Sequence, residues 1–178
     1  MYAIATMRAP GFEQPLGALE TCHARIETHL VMLERLVAYV AQQGCDAKAR
    51  EAARFIMRYF DTAGVQHHRD EDEDLFPLLR RKAAGLGRAE VSAVINELEG
   101  DHRTMDLQWS RLRARLDELT CNPYALLVPD DIAGFAWLYR RHMEKESALV
   151  LPFAKEALDR DERAALGERM AARRKAAA

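Results

Sequence analysis

The chain has 178 residues, enough for one domain with a full hydrophobic core. Hydrophobic residues make up 49% and charged residues 30%, with a formal net charge of −2, which excludes an intrinsically disordered chain. The near-neutral balance gives no electrostatic reason to expect nucleic acid or an anionic membrane as partner, and no apolar run approaches the ~18 residues of a membrane span.

Glycine and proline are few and fall at the edges of long periodic segments. Residues 1–14 read as an N-terminal extension without the apolar core of a signal peptide. Helix 1 is expected over 15–43, stopped by Gly44. Its apolar face runs Leu16, Leu19, His23, Ile26, Leu30, Leu33, Val37, Val40, in steps of three and four that mark a bundle seam. Helix 2 is expected over 47–76, ended by Pro77, which cannot donate to the helical ladder. Its seam is Ala53, Ile56, Phe60, Ala63, His67, Glu71, Leu75. Helix 3, over 89–119 and closed by the sequence TCNP, presents Val91, Ile95, Leu98, His102, Met105, Trp109, Leu112, Leu116 and Leu119. Helix 4 starts near the acids of PDD at 129–131, which favour a helix N-terminus, and runs to Pro152. Its seam is Ile132, Phe135, Tyr139, His142, Glu146, Leu149. A basic segment over about 160–174 forms a last, frayed helix. The expected fold is therefore all-α: an antiparallel up-down four-helix bundle over 15–158, with a short basic C-terminal helix or tail over 159–178.

Each of the four seams contains a histidine, and two bury a glutamate four residues later. A buried polar group without a partner costs roughly 1–3 kcal/mol, and a buried charge more. One such histidine is readily explained as a hydrogen-bonded core residue. One per helix, with two glutamates at matched spacing, calls for a common partner. Residues i and i+4 share a helix face, so His67 with Glu71, and His142 with Glu146, can reach one site. The pattern is doubled: Pro77 follows His67, and Pro152 follows His142, by ten residues each. Two such hairpins packed antiparallel would bring His23, His67, Glu71, His102, His142 and Glu146 into one layer.

Nitrogen and carboxylate donors without thiolate suit iron, manganese or zinc. Six ligands exceed the need of one tetrahedral zinc but suit two octahedral ions with positions left for an exogenous ligand. Other motifs fail. The acids Asp70–Asp74 open like a calcium loop but lack its turn glycine, since Leu75 stands there, and Arg81 replaces its closing glutamate. No HExxH is present, and the order His-x-x-x-Glu is not the Glu-x-x-His of ferritin-like carboxylate proteins. The three cysteines, Cys22, Cys45 and Cys121, show no CxxC spacing, which argues against a thiolate site and points to a reduced, cytoplasmic protein.

The set His23, His67-x-x-x-Glu71, His102, His142-x-x-x-Glu146 resembles the hemerythrin-like (HHE cation-binding) domain, over about residues 15–155. That resemblance implies two iron ions bridged by carboxylates and an oxide or hydroxide. Manganese or zinc are the alternatives at such a site. It implies a small ligand, dioxygen or a relative such as nitric oxide or peroxide, bound for storage, sensing or detoxification. The competing reading is an iron-handling or regulatory module without gas chemistry, whose protein partner the sequence does not identify. Nothing identifies a proton donor or organic-substrate pocket, so the expectation is a binding protein, with peroxide or dioxygen reduction as the enzymatic alternative. The chain departs from the oxygen-carrying hemerythrins. Those carry HxxxH on the third helix, where this chain has His102 and Asp106. Asp106 and Glu27, four residues after His23, are the candidates for a further ligand or a supporting carboxylate. His29 is expected at the surface or behind the ligands, and Asp70, Asp72, Glu73 and Asp74 mainly on the solvated face.

Overall fold

The computed structural model describes residues 11–176; residues 1–10 of the expected N-terminal extension lie outside the described part. Among the described residues there is no strand. Helix α1 spans Pro15–Gln43. Helix α2, residues 47–85, is a continuous rod of α-helix Ala47–Tyr59, π-helical turn Phe60–Gly64, α-helix Val65–Arg69, π-helical turn Asp70–Leu75 and α-helix Phe76–Gly85. Helix α3 is Ala89–Cys121. Helix α4, residues 129–157, runs as α-helix Pro129–Lys145, π-helical turn Glu146–Val150 and α-helix Leu151–Ala157. Helix α5 is Arg160–Ala176. Consecutive rods pack together and α4 closes back on α1, which makes an up-down bundle of four.

The prolines do not end their helices. Phe76 N–H bonds the carbonyl of Glu71, and Leu151 N–H bonds that of Glu146, each five residues back. This wider turn shifts the hydrogen-bond ladder by one residue just before Pro77 and Pro152. A proline there meets no tight α-turn carbonyl, so the rod continues for two turns or so. The stop of α2 is Gly87, whose φ of 68° is the left-handed cap a glycine supplies. The first π-turn also corrects the seam of α2. Its extra residue turns Ala63 outward and Gly64 inward, between buried Phe60 and His67.

The apolar core divides in two. One cluster joins Ile26, Leu30, Leu33, Ile56, Phe60, Met105, Leu112, Phe135 and Tyr139, towards the end that holds Gly44. The other joins Leu16, Leu19, Leu75, Phe76, Leu79, Ile95, Leu98, Val150 and Phe153 at the opposite end. Between them, at the level of residues 23, 67–71, 102 and 142–146, lies a polar layer.

Helix α5 is docked, not frayed. Leu166 and Met170 are fully buried in the second cluster. At Gly167 an added Cβ would stand 1.9 Å from the Phe12 carbonyl oxygen, so only glycine lets α5 approach the chain leading into α1 this closely. Arg169 pairs with Asp74 at 2.6 Å. Arg173 bonds Asp70, Glu73 (3.0 Å) and Asp74 (2.6 Å), and Arg174 also bonds Asp70. Asp70 and Asp74 are therefore buried beneath α5 and do not face water. Their partners lie about 100 residues away in the sequence, beyond the reach of a local pattern.

Candidate metal centre

The four rods each deliver one imidazole to the polar layer, because each histidine continues a seam otherwise made of core residues. The two long i,i+4 rods, α2 and α4, add the glutamates. His67, Glu71, His102, His142 and Glu146 are each at most 3% exposed at the side chain, and His23 is 11% exposed.

The donors form two groups that share Glu71. His23, His67, Glu71 and Glu146 offer atoms lying within 4.8 Å of one another, as do Glu71, His102 and His142. Glu71 spans the groups with its two oxygens: Oε1 is 3.2 Å from His67 Nε2, and Oε2 is 3.3 Å from His102 Nε2. Glu146 Oε2 stands 2.9 Å from His23 Nε2 and 3.6 Å from His142 Nε2. His102 Nε2 and His142 Nε2 are 3.2 Å apart.

These close approaches are not all hydrogen bonds. His23 Nε2, His67 Nε2, Glu71 Oε2 and both oxygens of Glu146 are buried with no hydrogen-bond partner of acceptable angle. They converge on common points without satisfying one another. Donors held ~2.1 Å from a central ion are about 3.0 Å apart when adjacent, close to the separations here. Orphaned buried donors of this type, at these spacings, fit divalent or trivalent cations.

The electrostatics agree. Burial, reinforced by neighbouring imidazoles, pushes the pKa values of His67 and His142 well below the usual histidine range and keeps their lone pairs free for a ligand role. Burial and then the adjacent Glu146 push Glu71 well above the usual carboxylate range. Two neighbouring buried carboxylates invite positive charge between them. Burial lowers His102 too, but its hydrogen bond to Asp72 and the nearby Glu71 carboxylate outweigh that and hold it up to about 10 in the metal-free protein, so a cation held there displaces its proton.

Behind the donors stands a second set of residues. Asp72 Oδ1 is 2.9 Å from His102 Nδ1, which fixes the ring with Nε2 facing the centre. Asp101, anchored by Arg141 at 2.9 Å, lies 3.8 Å from His142 Nδ1, too long for a hydrogen bond in this geometry. Sequence reasoning did not single out Asp101; its place three residues after seam residue Leu98 was the available signal. His68 is buried with its ring stacked on His102 at 4.1 Å between centroids. His29 is a core residue, its Nδ1 2.7 Å from the Arg25 carbonyl and its ring stacked on Tyr59.

All six seam residues are thus brought together, and the two further candidates are not. Glu27 turns both carboxylate oxygens to Arg140, at 2.8–3.2 Å, on the bundle surface. Asp106 has a side chain 72% exposed and lies nearest His68, at 3.9 Å. One helical turn beyond a seam histidine, each sits on the flank of its rod.

The family model for the hemerythrin HHE cation binding domain matches residues 14–154, which contain all six residues. The chain belongs to the hemerythrin HHE family. The chain is also similar to an uncharacterized protein of Haemophilus influenzae (strain ATCC 51907 / DSM 11121 / KW20 / Rd), 28% identical over 163 residues, covering 92% of this chain and 91% of the relative. An HHE domain binds metal cations, and the two donor groups are where this chain can hold them.

Proposed function

We propose that this HHE protein holds two iron ions and uses them to bind dioxygen or a related small ligand, nitric oxide or peroxide, for storage, sensing or detoxification. The observation that carries the reading is the pair of carboxylates, each set between two imidazoles from different rods. His23, His67, Glu71 and Glu146 would hold one ion, and Glu71, His102 and His142 the other. Iron would supply reversible redox chemistry and coordination positions the protein leaves unfilled.

The protein's own part is to enclose and orient. The two apolar clusters seal the layer from both ends. The Asp72 carboxylate holds His102 in the tautomer and orientation a ligand needs. Buried, neutral His67 and His142 need lose no proton to bind a cation. Manganese or zinc would meet the same donors. The three cysteines are unpaired, which suits a reducing, cytoplasmic setting, and no helix among the described residues is long and apolar enough to cross a membrane.

The near-complete enclosure of five of the six donors favours a second reading, an iron-handling or regulatory module without gas chemistry. One experiment separates the two. The iron-loaded protein is reduced without air and then exposed to dioxygen or nitric oxide. Gas binding predicts a reversible change in the near-ultraviolet and visible spectrum. An unchanged spectrum with iron retained would leave the handling module.

A further inference from the structure

The π-helical turn Asp70–Leu75 divides its acids between two tasks. Glu71 and Asp72 serve the centre: Glu71 belongs to both donor groups, and Asp72 holds His102 at 2.9 Å. Asp70 and Asp74 turn the other way, to α5, which lies beyond the residues 14–154 matched by the HHE model. Arg169 and Arg173 each reach Asp74 at 2.6 Å, and Arg173 and Arg174 both donate to Asp70. Asp70 is fully buried and Asp74 nearly so, which shields these pairs from screening.

Glu71 sits where the backbone departs from the α-helical ladder. Phe76 N–H reaches five residues back to the Glu71 carbonyl. Turns of this width are rare, so contacts from outside the rod decide whether the register is kept. A turn that relaxed to α-geometry would shift the residues on its two sides by one place, about 100° of rotation. That would take Glu71 out of register with Leu75 and Phe76 in the core. The second glutamate, Glu146, also opens a π-turn, Glu146–Val150, but residues 147–150 include no acid for an arginine to hold. The α5 arginines are thus committed to the turn that carries the carboxylate shared by both donor groups.

We propose that α5 is a positioning clamp on the metal centre: Arg173, with Arg169 and Arg174, holds the π-turn in the register that aims Glu71 and Asp72 at the donor layer, so cation binding and docking of α5 are coupled. The coupling rests on the cation centre proposed above; the clamp itself does not. Reciprocity follows: docked α5 raises cation affinity, and a bound cation holds α5 down by the same factor. Coupling between sites commonly spans ~5–150-fold, and losing a residue behind a metal ligand costs ~10–100-fold in affinity. Loss of Arg173 should lie near the low end, about tenfold, because Arg169 still reaches Asp74 and Arg174 still reaches Asp70.

The test compares Arg173→Ala with Arg173→Lys, which keeps the charge but not the fork, and with Leu116→Ala, a truncation of a buried residue in the other apolar cluster. In the metal-free full chain, hydrogen exchange read by mass spectrometry should quicken in Arg173→Ala about tenfold more across residues 71–76 than across residues 147–151 of the other π-turn. Equal quickening of both turns is general loosening and overturns the clamp. Zinc affinity is read by chelator competition at a temperature where each variant is folded by circular dichroism. It should fall about tenfold in Arg173→Ala, less in Arg173→Lys, and not in Leu116→Ala. Zinc should also slow exchange across α5 more in the wild type than in Arg173→Ala, by the same factor. Equal losses of affinity in Arg173→Ala and Leu116→Ala, or an unchanged affinity in Arg173→Ala, overturn the coupling. If Arg173→Ala does not fold, Arg173→Lys carries the same comparisons. A wild-type chain that binds no zinc, manganese or iron fails the centre reading, and the metal-free arm still decides the clamp.

Discussion

Arg173 provides the sharpest test of how α5 is held. Its side chain is 10% exposed and donates to three carboxylates, of which Asp70 is fully buried and Asp74 nearly so. Removing one partner of a buried ion pair costs about 3–5 kcal/mol, because the remaining charge is left without compensation. Arg174 still reaches Asp70 and Arg169 still reaches Asp74, so Arg173→Ala should lie at the lower end, about 3 kcal/mol. For a chain of this size, at ~2–4 °C per kcal/mol, the melting temperature should fall by roughly 6–12 °C. The assay is urea and thermal denaturation of Arg173→Ala, Asp70→Asn and the double variant in one buffer. Coupling of about 1.5 kcal/mol or more is expected in the double-mutant cycle. A loss under about 0.5 kcal/mol for Arg173→Ala, with additive double-mutant behaviour, would refute the buried pairing.

Other consequences can be checked on the same material. His67→Ala and Glu71→Ala should each remove at least one cation per chain by elemental analysis, whereas Glu27→Ala and Asp106→Ala should leave the metal content at the wild-type level; loss in the latter pair would restore them as ligands. Asp72→Ala should weaken metal affinity about tenfold or more in chelator competition, because His102 loses the acceptor that fixes its ring; unchanged affinity would count against that role. The metal-free protein should melt at lower temperature as the pH falls from 7 to 5. Folded His67, His68 and His142 resist protonation, so the unfolded chain takes up more protons below the ordinary value of 6.5. Glu71, whose raised folded pKa keeps its proton above 4.5, offsets only one of these three groups in that window. His102 acts in the opposite sense: its contribution is complete below 6.5 and is lost as the pH rises through about 10, so stability should decline there too. A flat profile between pH 5 and 7 would contradict the burial of the neutral imidazoles.

The site was legible in the sequence to the extent that local periodicity determines it. The three-four spacing of apolar residues in α1 and α3 placed His23 and His102 on buried faces, and the i,i+4 pairs placed Glu71 and Glu146 beside their histidines. Helix ends set by glycine, as at Gly44, were also readable. What local pattern could not supply was register change and tertiary partnership. The π-turns that carry the rods past Pro77 and Pro152 look, in sequence, like ordinary helix stops. Gly85 and Gly87 were the better stop signal for α2, and the prolines masked it. Asp70 and Asp74 read as solvated acids because charge alone does not show what covers it; α5, a hundred residues on, turns them into buried anchors. Glu27 lay one turn from a seam histidine and was drawn instead to Arg140 on a neighbouring rod.

The central claim is that two carboxylates and four imidazoles hold a pair of iron ions. Its most direct test is iron per chain in the aerobic protein purified from iron-rich medium, read together with the near-ultraviolet spectrum. About two irons per chain with charge-transfer absorption are expected, as for a di-iron site built between facing bundle helices. A colourless protein without iron under those conditions would contradict the account.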